Sequence, residues 1–159
     1  MQTKFSFNLI KGRLAETVIK ELFLLNDYNV FNYGMEQSLP GITMQLRNNK
    51  SEFAKKIRFM PDYVVQDRAN GDLNYVEVKF RANGWFGIDD LDKAYPYTNA
   101  WFIVVSPGKI QVIHYNMLKK GKALSPTTNY SLKKVKAFRL EHRLVDEFEK
   151  YTEQLFKGF

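Results

Sequence analysis

Apolar positions near the start of the chain recur every three or four residues: Ile10, Leu14, Val18, Leu22 and Leu25, with Ala15 and Ile19 widening the stripe. That spacing predicts an amphipathic helix over "FNLIKGRLAETVIKELFLLNDYN", with Asn8 as its N-cap. "YNVFNYGM" then reads as a strand. Ile42 to Leu46 reads as a second, short strand, and Glu52 to Lys56 as a helical turn. "IRFMPDYVVQD" and "LNYVEVKFR" are two β-rich runs joined through Asn70-Gly71, a favoured hairpin pair. "GIDDLDKAYPY" opens with acids as a helix start does, and Pro96 should end or kink that helix. "AWFIVVS" has few polar breaks and predicts a central strand covered on both faces. "PGK" turns it into "IQVIHY", another strand. Leu140, Leu144, Phe148, Tyr151 and Leu155 predict a closing helix whose apolar face covers the sheet, a homodimer contact being its less frequent use. The order of these elements is that of an α/β domain with a mixed sheet rather than of a βα repeat.

Composition fits one folded domain over 1–159. Hydrophobic residues make up 45% and charged residues 26%, which argues against disorder. No repeat or flexible linker divides the chain, and no apolar run approaches the roughly 20 residues that span a bilayer. Lys11 and Arg13 interrupt any leader-like apolar core, and there is no cysteine, so disulfides and thiolate metal sites are excluded. The expectation is a cytoplasmic protein away from membranes. A net charge of +7 makes a polyanion such as nucleic acid a suitable partner.

The two runs of the hairpin contain charge where strands usually avoid it. Residues two apart share a face of a strand, so Tyr75, Glu77, Lys79 and Arg81 point one way while Val76, Val78 and Phe80 point into the core. Asp62, Val64 and Gln66 share a face of the first run. Antiparallel pairing through the turn could bring Asp62 near Glu77, where their like charges would raise each other's pKa unless a cation lay between them. Such hard oxygen ligands suit Mg²⁺ or Mn²⁺. The backbone carbonyl of Val78 could add a ligand, and Lys79 would lie beside the ion, placed to orient water or offset charge on phosphorus.

Pro61-Asp62 followed by Glu77-Val78-Lys79 resembles the PD-(D/E)xK nuclease motif. "KGRLAE" adds to the match by setting Gly12 one turn before Glu16, which leaves room for that carboxylate to lean toward the sheet. The layout is similar to archaeal Holliday junction resolvases and their relatives, and it covers roughly residues 8–115. The resemblance implies a restriction-endonuclease-like αβββαβ core, with residues 116–159 adding a basic loop and the C-terminal helix. It implies a Mg²⁺-dependent endonuclease acting on DNA, branched or repair intermediates included. By the same carry-over, Asp62 and Glu77 are metal ligands, Lys79 is the catalytic lysine and Glu16 an accessory acid bound directly or through water. The stretch after Glu77-Val78-Lys79 has no Gln-x-x-x-Tyr pattern, although Tyr95 and Tyr97 follow it.

Bland readings stand beside these. Acid-x-Lys on a strand is common, and cross-strand charge pairs stabilise ordinary sheets. Asp62 could mark a strand start, and Glu16 could simply pair with Lys20. The same fold could also serve as a non-catalytic module that binds nucleic acid or protein. His114 and His142 make a poor zinc signature. Lys119, Lys120, Lys122, Lys133, Lys134 and Lys136, with Arg81 beside the motif and Arg139 and Arg143 further on, are either a solvated surface or phosphate contacts. Trp85 and Phe86 could stack on an unpaired base or cap the core, the second being favoured.

Overall fold

A computed structural model of the chain describes residues 2–34 and 42–158. Helix α1 (Gln2–Leu25) is followed by β1 (Tyr28–Asn32), a helical turn α2 (Ile42–Gln45) and α3 (Glu52–Arg58). The hairpin β2 (Tyr63–Asp67) and β3 (Leu73–Phe80) comes next, then β4 (Trp101–Ser106), β5 (Lys109–His114), α4 (Tyr115–Lys119) and α5 (His142–Phe156). The strands form one sheet in chain order, β1-β2-β3-β4-β5. All neighbours are antiparallel except β3 and β4, which run parallel. The expected α/β class and mixed sheet are therefore present. Among the described residues no helix is long and apolar enough to cross a membrane.

Each face of the sheet has its own core. On one face Val76, Val78, Ile103 and Val105 pack under Ala15, Ile19, Leu22 and Phe23 of α1 and Val145, Phe148 and Phe156 of α5. On the other, Phe102, Val104 and Ile113 lie beneath Phe86, Tyr95, Tyr97, Leu118 and Leu124. Alternate residues of β4 enter opposite cores, which is why "WFIVVS" reads as unbroken apolar sequence. The turn after β2 closes through Gly71, whose φ of 81° favours glycine.

Several expectations change. Asn8 is not an N-cap: α1 starts at Gln2, because no Pro or Gly in "QTKFSFN" stops it. The buried stripe of α1 is Ala15, Val18, Ile19, Leu22 and Phe23, while Ile10 and Leu25 are exposed. Likewise Val145, Phe148, Thr152 and Phe156 form the buried face of α5, with Tyr151 and Leu155 left outside. α5 does cover the sheet. Ile42 to Leu46 is a helical turn, not a strand, whereas the helix expected near Glu52 is present and capped by the Ser51 hydroxyl, which accepts from the Ala54 amide. The β-rich run "IRFMPDYVVQD" becomes strand only from Tyr63 onward. Met35, the end of the expected first strand, lies outside the described residues.

The largest departure is the crossover from β3 to β4. Parallel neighbours are usually joined by a helix, and the αβββαβ pattern expects one in "GIDDLDKAYPY". Only a 3₁₀ turn forms, at Ile88–Asp90. The acids that suggested a helix start instead bond locally. Asp90 Oδ2 accepts from the Gly87 amide at 2.8 Å and Asp92 Oδ1 from the Ala94 amide at 2.8 Å. Such side chains compete with helical backbone bonding. Phe86, Tyr95 and Tyr97 then cover the sheet where helix residues would have done so.

Candidate active site

β2 begins at Tyr63, opposite Val76, so β3 runs on past its partner. From Glu77 to Phe80 the ladder continues only on the β4 side. The vacant edge is occupied by the Asp62 side chain, whose Oδ2 accepts the Val78 amide at 2.7 Å. An extended residue sends its N–H and C=O to the same side, so the Val78 carbonyl faces that edge as well. Asp62 is itself held by the residues just after β1, since its carbonyl accepts from the amides of Tyr33 and Gly34 at 3.0 and 3.3 Å. Gly34 lies so close behind it that an added Cβ would meet the Pro61 carbonyl oxygen at 3.4 Å. Continued one step past the Tyr63–Val76 pair, the same register brings Asp62 beside Glu77, whose charge acts on it.

Glu77 Oε1 accepts from Lys79 Nζ at 2.6 Å. Its other oxygen, Oε2, is buried with no hydrogen-bond partner. Burial, then the charges of Glu77 and Glu16, push Asp62 well above the ordinary aspartate range, against the pull of the Val78 amide and Lys79. Glu16 is raised by burial and by Glu77, with Lys79 and Arg13 opposing. On Lys79 burial acts downward, but the charge and hydrogen bond of Glu77, with Asp62 behind, outweigh it and hold the amine above its usual value. Three carboxylates thus crowd around Lys79, with Arg13 acting on Glu16 as well. Glu16 reaches this group from α1, and an added Cβ at Gly12 would meet nothing within 4 Å, so that turn is open.

The crossover contributes a group that the motif did not name. The Tyr95 hydroxyl is buried and unpartnered. Burial, then the charges of Glu77 and Asp62, raise its pKa, so it borders the acidic pair and remains a donor. Its ring is fixed between Phe102 at 5.5 Å and Tyr115 at 6.1 Å. The sequence signal was slight: a tyrosine in "AYPY", without the Gln-x-x-x-Tyr spacing.

In this arrangement no group of three or more His, Cys, Asp or Glu side chains among the described residues is gathered to hold a metal ion. The donor set that fits a hard cation is the pair Asp62 and Glu77. The orphaned Oε2 is an acceptor without a donor, and the acids exceed the positive charge available to them.

The cationic residues are divided. Lys119, Lys120 and Lys122 are exposed next to Leu124, which exchanges both backbone bonds with Phe86 of the crossover, on the face that includes Glu77. Lys133, Lys134 and Lys136 flank Leu132, which belongs to the core on the α1 face. Lys133 is paired with Asp146 at 2.6 Å. Arg139 is bound to both oxygens of Asp67 at 2.7 Å, at the far end of β2. Arg81 bonds the Phe80 carbonyl and lies 3.9 Å from Asp90. His114 caps α4, its ring nitrogen accepting from the Asn116 amide. Phe86 does cap the core, but Trp85 does not: the residue is 58% exposed.

No protein-family model matches this chain, and no curated protein sequence matches it.

Proposed function

We propose that this chain is a divalent-metal-dependent endonuclease hydrolysing phosphodiester bonds, DNA being the substrate its basic surface suits best. One observation carries the reading. The Asp62 carboxylate sits at the open edge of β3 within reach of the Glu77 charge, and Glu77 Oε2 is buried with nothing to bond. An unmet buried acceptor costs about 1–3 kcal/mol. A hard cation would satisfy it and offset the surplus negative charge together. Asp62 and Glu77 would hold Mg²⁺, for which Mn²⁺ could substitute, joined by the Val78 carbonyl and by Glu16 directly or through water. When bound, the ion supplies polarisation of a phosphoryl oxygen and an acidified water.

The chain's own groups complement that chemistry. Lys79, held protonated by Glu77, is unsuited to take a proton and suited to donate to a phosphate oxygen or to orient water as charge develops on phosphorus. The Val78 amide fixes the Asp62 carboxylate without occupying the site. Tyr95 offers a second fixed donor, with no reorganisation needed because its ring is clamped by Phe102 and Tyr115. Phe86, Tyr95 and Tyr97 shield this face from water, which strengthens each electrostatic contact beneath them.

The test is cleavage of plasmid and of synthetic branched DNA with Mg²⁺ and with EDTA. Asp62→Ala and Glu77→Ala should each lower cleavage by at least about 100-fold, the loss typical of a removed charge-stabilising group. Salt-sensitive DNA binding should persist. Normal cutting by either variant would end this reading. A chain that binds DNA but gives no metal-dependent product on any substrate would instead be a non-catalytic binding module on the same fold.

A further inference from the structure

Trp85 is one of two tryptophans and the exposed one, and the chain holds it in place. The Gly84 amide donates to the Arg81 carbonyl at 3.0 Å, and Gly84 has a φ of 72°, which favours glycine. An added Cβ at Gly84 would meet the Pro126 backbone nitrogen at 3.5 Å, so the turn is packed down. The Trp85 amide is bound by Asn83 Oδ1 at 3.1 Å. On the other side, Phe86 is buried and tied by two backbone bonds to Leu124, at 3.1 and 2.8 Å. The backbone is therefore anchored on both sides of Trp85, whose side chain is left in water. A single exposed indole is ordinary on a protein surface, and the charges around it are what set this one apart.

Its surroundings name the kind of contact. Arg81 is two residues past Lys79 on the same strand face, roughly 7 Å along it, and the turn that presents Trp85 starts at Arg81. Lys119, Lys120 and Lys122 are exposed on the segment paired with the crossover. The crossover also has exposed acids at Asp89, Asp90 and Asp92, of which Asp90 accepts from the Gly87 amide and lies 3.9 Å from Arg81. An aromatic plate flanked by cations binds a base by stacking and its phosphates by charge, without regard to sequence. A base inside a duplex has no free face to offer.

We infer that Trp85 is a stacking platform for an unpaired base of DNA next to the Asp62–Glu77 site, and that Arg81 and Lys119–Lys122 hold the adjoining phosphates. The substrate is then DNA with a single-stranded segment, such as a gap, flap or branch, rather than an intact duplex. This rests on the nuclease reading for the position of the base relative to the cut, whereas binding itself does not.

Binding is measured in EDTA by fluorescence anisotropy with the full chain, using a single-stranded oligonucleotide of about 12 nucleotides and a blunt duplex of the same sequence. Trp85→Ala should weaken the single strand about 5- to 150-fold, the worth of one base stacked on an aromatic ring. Trp85→Phe should stay within about threefold of the native chain, and blunt-duplex affinity should change less than twofold. In Trp101→Phe, where Trp85 is the sole indole, emission should be quenched as the oligonucleotide is added. The inference is overturned if Trp85→Ala leaves single-strand affinity unchanged, if it weakens both DNAs equally, or if the indole emission does not move. It is also overturned if the native chain binds neither DNA below about 100 μM, the upper end of ordinary non-specific affinity. Failure to cleave with Mg²⁺ would count against the nuclease reading alone.

Discussion

The Asp62 carboxylate takes the place of a missing strand neighbour for Val78: its Oδ2 accepts the Val78 amide at 2.7 Å where β2 has ended. One aspartate thereby closes the ladder and sets a negative charge beside Glu77. Asn at this position could still accept that amide but would remove the charge. Asp62→Asn should therefore unfold at an equal or higher temperature than the native chain without metal. A gain of about 1 kcal/mol would raise Tm by roughly 2–4 °C in a domain of this size. Cleavage and Mg²⁺ binding should be lost. Scanning calorimetry alongside a Mg²⁺ titration checks both, and a Tm several degrees lower would show that the charge was needed for the fold.

Asp62 and Glu16 both have folded-state pKa values above their ordinary ones, by burial first and then by neighbouring carboxylates. The folded chain thus keeps these protons after the unfolded chain has released them. Where that holds, stability falls as pH rises, from the ordinary carboxylate range up through the raised values. Mg²⁺ binds the ionised pair, so the Tm gain it confers should grow across the same window. Thermal melts from about pH 4 to 8, with and without Mg²⁺, test this. A Mg²⁺ effect that is the same at every pH would contradict it.

Asp67 works in the opposite sense. The hydrogen bonds from Arg139 come first among the causes that hold its pKa at about 2. A lowered carboxylate contributes stability that is complete above its unfolded pKa and disappears as pH falls through the folded one. Asp67→Asn should lower Tm at pH 7, and its melting curve should converge on that of the native chain near pH 2. Arg139→Ala should behave alike, because the same clamp is removed from the other side. Variants that stay less stable even at pH 2 would point to packing rather than charge.

Tyr95→Phe separates fold from chemistry. The change deletes a buried hydroxyl that has no partner, so the metal-free chain should be as stable as the native one or more so, by up to a few degrees. If the hydroxyl serves as a donor in the site, cleavage should fall roughly tenfold, the worth of one hydrogen bond in the transition state. Single-turnover cleavage and melting temperature are the two readouts. Unchanged cleavage would remove Tyr95 from the site.

Much of the frame was legible because local periodicity is a local property. The hairpin at Asn70-Gly71 and the two-sided burial of "WFIVVS" follow from turn chemistry and the strand period. The pairing of Asp62 with Glu77 needed a register that the turn residues do not give: a two-residue Asn70-Gly71 turn would set Asp62 opposite Lys79, whereas the loop runs over residues 68–71 and sets Tyr63 opposite Val76. The crossover was misread because Asp89, Asp90 and Asp92 suit a helix start and an Asx-type turn equally, and their choice depends on what Phe86, Tyr95 and Tyr97 cover. The stripes of α1 and α5 were placed partly on the wrong residues, because each helix is apolar over a wider arc than the sheet can bury. Ile10 and Leu25, like Tyr151 and Leu155, belong to the surplus.

The sequence by itself determined the mixed α/β frame, the acidic and basic residue types of the hairpin, and which of them share a strand face. Only the tertiary structure decided that β2 does not begin until Tyr63, that Asp62 fills the edge this leaves, and that one oxygen of Glu77 is buried without a partner. It also decided that Tyr95 borders those acids while Trp85 faces water. The reason is physical. Side-chain direction along a strand is set by backbone geometry, but burial, desolvation and charge repulsion depend on residues far apart in the chain that meet only when the domain closes.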